Sequence, residues 1–433
     1  MPDVGAIGDL RIDGRTKGMP PGAAPFRLGD IAAKGWNLLG GDMALPLAVL
    51  KEGALAHNAD WMRRFLDQSG AVLSPHGKTS MSPELFARQI EHGAWAITVA
   101  TAQQARVCRE FGFERILLAN QLIGGPEIDY VLDELAADPG FDFYCLVDSP
   151  AAVERLASAA RGHALRRPLQ VLLEGGTPGG RTGCRDLDEA MAVARAVADA
   201  APHLALAGVE GFEGLIPGTD AAAQDAAVAG FLDYLVTIAE AVDAADLFAQ
   251  GPILLSAGGS AFYDLVARRF AAARLSREVR VVTRSGCYLT HDSGIYQAFF
   301  ERLGARDAEA AGRGEGPRAA FEVWAYVQSR PDADKAIVTM GRRDAGSDAD
   351  WPRPLFWYRP GTHEAPVPAP EGSRVTAMND QHTHMAISPD APYAVGDMVA
   401  FGVSHPCTTF DKWDVICLVD DGYNVISAIK TFF

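Results

Sequence analysis

What this chain lacks narrows its class before any motif is read. No apolar run approaches the roughly 18–20 residues that a helical membrane span needs. The opening stretch "MPDVGAIGDLRIDGRTKGMP" has no basic segment followed by an apolar one, so no secretory signal is expected. Positive charge is scarce: 39 Lys+Arg stand against 55 Asp+Glu, a formal net charge of −16. A chain without a basic stripe is a poor partner for nucleic acid or an anionic membrane, so neither is expected. The six cysteines (Cys108, Cys145, Cys184, Cys287, Cys407 and Cys417) form no CxxC pair and no regular framework. Reduced thiols in a cytoplasmic protein are the corresponding expectation. What is present, 433 residues at 48% hydrophobic and 22% charged, suits two domains or one large barrel with a smaller partner.

Eight short apolar runs punctuate residues 45–287: "GAVLSPHGK", "AWAITVA", "RILLAN", "FYCLVD", "LQVLLE", "LALAGVEG", "GPILLSAGG" and "VRVVTRSG". Ala/Glu/Arg-rich helical stretches separate them, and two of these, "SPELFARQIEHG" and "SPAAVERLASAARG", open with Ser-Pro. Serine suits the N-cap, and proline suits the first turn, where no N–H is needed. Near-continuous apolar strands alternating with helices predict a parallel sheet covered on both faces. The count of eight favours an α/β fold of the (β/α)8 TIM-like barrel type over an open doubly wound sheet. After residue 287 the pattern changes to strands such as "FEVWAYVQSRPD" and "KAIVTMGRRDAG", with residues 303–318 and 345–372 as Gly/Pro/Asp-rich connections. The expected organisation is a barrel over 45–287 and a mainly β unit from 1–44 and 288–433.

Polar residues gather where the barrel strands end: His76 and Lys78, Asn120 and Gln121, Asp148, Glu174, Glu210 and Glu213, Gly258–Ser260, and Arg284–Cys287. Barrel enzymes assemble their sites at that face. Lys78 alone reads equally as a solvated or ion-paired cation, yet lysine is also the residue that bonds carbonyls when desolvation frees its amine. "SAGGSAFYD" puts Gly258, Gly259 and Ser260 between the seventh strand and a helix, where backbone N–H groups can cradle phosphate; an ordinary tight turn uses the same residues. A carbonyl-bonding lysine at one end and a phosphate cup at the other suggest pyridoxal phosphate. Near the C-terminus, "SHPCTTFDKW" holds His405 and Cys407 two apart, which leaves a metal site, a disulfide half and a plain turn all open.

The stretches "SPHGKTSMSPELFARQIEHGAWAITVATAQQA" with "ILLANQLIG", then "GVEGFEGL", "SAGGSAFYD", "RSGCYLTHDSGIY" and "SHPCTTFDKW", resemble in order the D-threonine aldolases and eukaryotic-type D-serine dehydratases. These are fold-type III pyridoxal-phosphate enzymes with the alanine racemase barrel, and within the group the chain resembles bacterial amino-acid deaminases. The resemblance implies that Lys78 holds the cofactor, beside His76. It gives the phosphate to Gly258, Gly259 and Ser260 with Tyr288, and a divalent metal to His405 and Cys407. His382, in "NDQHTHMAIS", would stand near the metal or the substrate carboxylate, with His384 on the same side of a strand; the remaining histidines and cysteines are read as packing or surface residues.

Dehydratases of the group carry His-x-Cys with zinc and aldolases His-x-Asp with a harder ion, in keeping with ligand softness. Cys407 therefore implies a zinc-dependent dehydratase of β-hydroxy D-amino acids, turning a D-serine-like substrate into a keto acid and ammonia. The alternatives are a metal-dependent D-threonine aldolase, a non-catalytic pyridoxal-phosphate-binding barrel and a racemase. A structural zinc would need four protein ligands, and four are not found. The sequence departs from the group at Ser74, Ser80 and Met81, and at Phe212 where tyrosine is common. By analogy the assembly is a homodimer.

Overall fold

The computed structural model describes residues 2–307 and 315–433. All eight apolar runs are parallel strands: Val72–Leu73, Ile97–Val99, Arg115–Gln121, Asp142–Val147, Leu169–Gly175, Leu204–Gly211, Ile253–Ala257 and Val279–Thr283. Each pairs with its successor from the second to the eighth, and the eighth pairs back onto the first. The seam between strands one and two is closed by a single bridge, His76 to Thr98, flanked by the Trp95 N–H on Leu73 O (2.7 Å) and the Thr98 N–H on Pro75 O (2.9 Å). The result is the TIM-like barrel expected. Leu117, Tyr144, Leu146, Leu172, Ala207, Leu254 and Val282 pack into one buried cluster, the kind of side-chain layer that fills such a barrel.

Two Ser-Pro helix starts behave differently. Ser149 caps the helix Pro150–Ala160, its hydroxyl accepting the Ala152 N–H at 3.2 Å. Ser82 does not cap Pro83–Glu91, because its hydroxyl donates instead to Glu84 at 2.9 Å. The charge-assisted bond to Glu84 sets the direction of the Ser82 hydroxyl, and in that direction it takes no N–H of the first turn.

Among the described residues, ten strands form a second, mainly antiparallel sheet. Its centre is Phe321–Asp332, flanked by Met398–Gly402 and by Leu47–Lys51 from the front of the chain. Leu47–Lys51 also pairs in parallel with Val415–Val419, so both ends of the sequence build this sheet. Three expectations are corrected here. The connection 303–318 begins inside the helix Ile295–Arg306, and residues 308–314 lie outside the described residues. The connection 345–372 contains the strand Arg353–Tyr358, whose aromatic residues suit a sheet even though Pro354 interrupts its register. His382 precedes the strand Thr383–Ala386 and does not alternate within it as His384 does. No helix among the described residues is long and apolar enough to cross a membrane.

Where strands one and eight meet, Gly286 has no room for a side chain: a Cβ would lie 2.6 Å from the His76 carbonyl oxygen and 2.7 Å from the Thr79 hydroxyl. Gly286→Ala should therefore lose about 1–3 kcal/mol to overpacking. Gly230→Ala, in a helix with nothing within 4 Å of the new methyl, should gain about 0.5–1 kcal/mol. Chemical denaturation of the two variants beside wild type checks both signs.

Candidate active site

The carboxyl ends of the barrel strands surround a cavity of about 510 Å³, with His76, Lys78, Glu210, Arg284, His405 and Cys407 in its wall. That volume is in the range of small-molecule sites. Lys78 reaches it from a one-turn 3-10 helix, Gly77–Thr79, that begins as soon as the first strand is pinned to the second. Its amine is open to the cavity yet ringed by protein. Burial pulls the ammonium pKa below its usual value, the Cys407 sulfur partly opposes this, and Arg181 and Arg284 reinforce it. His76 is driven well below the ordinary imidazole range by burial and by the Lys78 charge, so it is neutral.

Behind Lys78, Arg284 is paired with Glu210 and also donates to Gly211 O at 2.8 Å, both side chains fully enclosed. Burial outweighs the attraction of Arg284 and raises Glu210 to about 8. Glu174 stands next to it, held by Thr182 (2.7 Å) and Gln121 (2.5 Å). On the opposite side Phe212 lines the cavity with the Arg181 guanidinium 4.9 Å from its ring centre.

The glycine loop is engaged in an unforeseen way. Gly258 adopts φ +102°, a conformation other residues rarely take, and the Gly258 and Gly259 N–H groups donate to the buried Glu213 carboxylate at 2.8 and 3.1 Å. Burial raises the Glu213 pKa, which favours the neutral acid at this spot. Ser260 accepts the Cys287 N–H at 3.0 Å, tying the loop to the end of strand eight. Tyr288 is buried but faces Gln89 and a separate small pocket beside Trp61, not the cavity.

His405 and Cys407 come from the second sheet's side, where a four-residue helix, Cys407–Phe410, follows the strand Met398–Gly402. They meet Cys287: one nitrogen and two sulfurs lie within 4.8 Å of one another, with the sulfurs 3.5 Å apart. Thr79, the neighbour of Lys78, places its hydroxyl 3.4 Å from the Cys407 sulfur. His405 Nδ1 bonds Asp348 at 2.7 Å, and Asp348 is itself held by the Thr408 hydroxyl. Burial alone would depress His405, but Cys407 and Asp348 outweigh it and raise the imidazole to about 9. Of the two thiols Cys407 is the more acidic: its pKa falls well below that of a free thiol through the Cys287 hydrogen bond and His405, while that of Cys287 rises well above it. Tyr296 sets its ring edge-on to His405, 6.2 Å between centres. His382 is exposed and outside this cavity.

Asp348, Thr79 and Tyr296 were not singled out from the sequence; Glu213 and Cys287 were named only as strand-end residues, and the expectation that Cys287 is a packing or surface residue is corrected by its place beside His405 and Cys407. Cys287 stands 120 residues from Cys407, and Asp348 sits in a Gly/Asp-rich connection, so spacing carried no sign of either.

Glu210 holds its proton up to about 8 in the folded chain, against an ordinary carboxyl value of 4.5. The folded state therefore binds more protons across that window, and stability from this group falls as pH rises through it. Wild type without cofactor should lose more melting temperature than Glu210→Gln between about pH 5 and about pH 8. Thermal scans of both at each pH check the sign.

Comparison with known proteins agrees with this architecture. Residues 50–305 match the family described as "Alanine racemase, N-terminal domain", and residues 320–419 match the "Putative serine dehydratase domain". The chain is similar to the D-threonine aldolase of an Arthrobacter species, 24% identical over 416 residues that cover 93% of each. A D-threo-3-hydroxyaspartate dehydratase of a Delftia species is 33% identical over 138 residues, 32% of this chain and 35% of its own. The crystal structure of a D-threonine aldolase from Filomicrobium marinum superposes with a TM-score of 0.74 at 20% identity, covering 94% and 98% of the two chains, a likeness of fold. With the first of these families spanning more than half of its length, the chain belongs to the alanine racemase-type, fold-type III family of pyridoxal-phosphate proteins.

Proposed function

We propose that this chain is a pyridoxal-phosphate- and zinc-dependent dehydratase of β-hydroxy D-amino acids, a lyase that yields a keto acid and ammonia. The observation that carries the reading is that Lys78 and the His405/Cys407 pair open on one cavity and are joined through the Thr79 hydroxyl. The wall also fits the cofactor. His76 Nδ1, Glu210 Oε2 and Arg284 Nε are buried polar atoms without a hydrogen-bond partner, as expected where a polar ring and its phosphate remain to be met. The donor set fits a metal too, since a thiolate and an imidazole suit zinc better than a hard ion.

Pyridoxal phosphate supplies an electron sink for charge at the amino-acid Cα. A bound divalent metal supplies a Lewis acid toward the β-hydroxyl. The chain's own part is as follows. Lys78 Nζ holds the cofactor aldehyde, and, with its pKa lowered by burial, is the base that accepts the Cα proton. Ser260 beside the Gly258–Gly259 turn would seat the phosphate, with the turn's own N–H groups held by Glu213, whose pKa is raised by burial. His405 and Cys407 hold the metal, with Asp348 fixing the imidazole so that Nε2 is left to bind. Tyr288 and His382, which face elsewhere, are left out of these sets.

A second reading, aldol cleavage to glycine and an aldehyde, is favoured by the similarity along nearly the whole chain to the Arthrobacter aldolase. Cys407 supports the dehydratase reading, because a thiol stands where the family resemblance assigns a carboxylate to aldolases. The same reading takes the expected cofactor unit, 45–287, as starting after Leu47–Lys51, which belongs to the second sheet; residues 1–51 and 288–433 are then the unit bearing the metal pair, and a cytoplasmic homodimer is the assembly.

Offered D-serine, D-threonine and β-hydroxy-D-aspartate with zinc, the enzyme should release ammonia; aldehyde with glycine instead would overturn the dehydratase assignment. Lys78→Ala should lose the visible absorbance of lysine-linked cofactor, and retention of that band would remove Lys78 from its role. Asp348→Ala should weaken metal binding by about 10–100-fold, measured by competition with a chromogenic chelator.

A further inference from the structure

We infer that Cys287 is a third protein ligand of the metal site, making it a His405/Cys407/Cys287 centre with one open position toward the cavity. The inference rests on the metal role proposed for His405 and Cys407 and goes beyond it. Two protein ligands fall short of the three that zinc usually takes in catalytic sites, where a fourth position is left for water or substrate.

The geometry points to Cys287 as the missing one. Its sulfur is 3.5 Å from that of Cys407 and within 4.8 Å of the His405 nitrogen. Two thiolates at about 2.3 Å from a tetrahedral zinc stand about 3.8 Å apart, so the observed separation needs only a small adjustment. A disulfide would require about 2.05 Å, a far larger movement. Cys287 is also held in place by its backbone: its N–H is committed to Ser260, and its predecessor Gly286 is wedged against His76 and Thr79. The sulfur is therefore presented by a turn just after strand eight whose backbone is held at two points. His405 is oriented in the same sense, with Nδ1 engaged by Asp348. Two soft sulfurs and one imidazole make a centre selective for zinc over manganese or magnesium. No other His, Cys, Asp or Glu group among the described residues brings three such donors together.

The test is zinc K-edge X-ray absorption on the zinc-loaded holoenzyme and on Cys287→Ser and Cys407→Ser. Wild type should show two sulfur neighbours at about 2.3 Å per zinc, and each variant one. One sulfur in wild type, or two retained in Cys287→Ser, would overturn the assignment. Pyridoxal-phosphate absorbance reports whether each variant is folded, and if Cys287→Ser fails to fold, the wild-type sulfur count still decides. The count is independent of turnover. Two sulfurs in a protein that releases no ammonia would sink the dehydratase reading and leave the ligand assignment standing, whereas one sulfur in an active dehydratase would do the reverse.

Discussion

The contact on which everything else depends is the approach of Gly286 to the His76 carbonyl. The barrel has no regular ladder between its first two strands, so its closure relies on a short first strand held by strand eight on one side and by one bridge to Thr98 on the other. That pinned corner carries His76, Lys78 and Thr79 on one segment and Arg284 and Cys287, the partner of Ser260, on the other. Any larger residue at 286 would part the two segments, and with them the amine from the sulfurs.

Charge in the cavity wall is governed by a contest between burial and pairing, and the outcome differs from site to site. For Lys78 and His76 burial prevails, and both lean toward their neutral forms. For Glu210 it prevails even against a guanidinium in contact. At His405 and Cys407 pairing prevails, raising the imidazole pKa and lowering that of the thiol. A desolvated amine and a stabilised thiolate within one cavity are what a site needs if it must both move a proton and bind a cation at neutral pH.

The barrel was legible in the sequence because parallel strands covered on both faces read as unbroken apolar runs, and all eight did. The residues at the strand ends were legible for the same reason, since each polar group stands out where such a run stops. What escaped notice depends on tertiary proximity. Nothing in "RSGCY" announces that Cys287 meets Cys407, and nothing in "AGSDAD" announces a partner for His405. The glycine turn was identified as a turn, but which acceptor takes its N–H groups is set by a residue of the neighbouring strand end, Glu213. Ser82 failed as a cap because a carboxylate two residues on competed for it, a choice that propensity alone does not resolve. The strand Arg353–Tyr358 was hidden by its flanking proline and arginine.

The seat of Leu47–Lys51 between Phe321–Asp332 and Val415–Val419 has a bearing on how the molecule comes into being. During synthesis this strand emerges early and must wait for two neighbours, one of them near the very end of the chain, before its backbone groups are paired. The barrel between them is built from contacts between successive units and can take shape as it emerges, since local contacts form faster than distant ones. Lys78 is thus in place while His405 and Cys407 are still to be made. The segment that completes the sheet also brings His405 and Cys407 to the corner of Lys78, so that side of the cavity wall forms only after the barrel strands are in place.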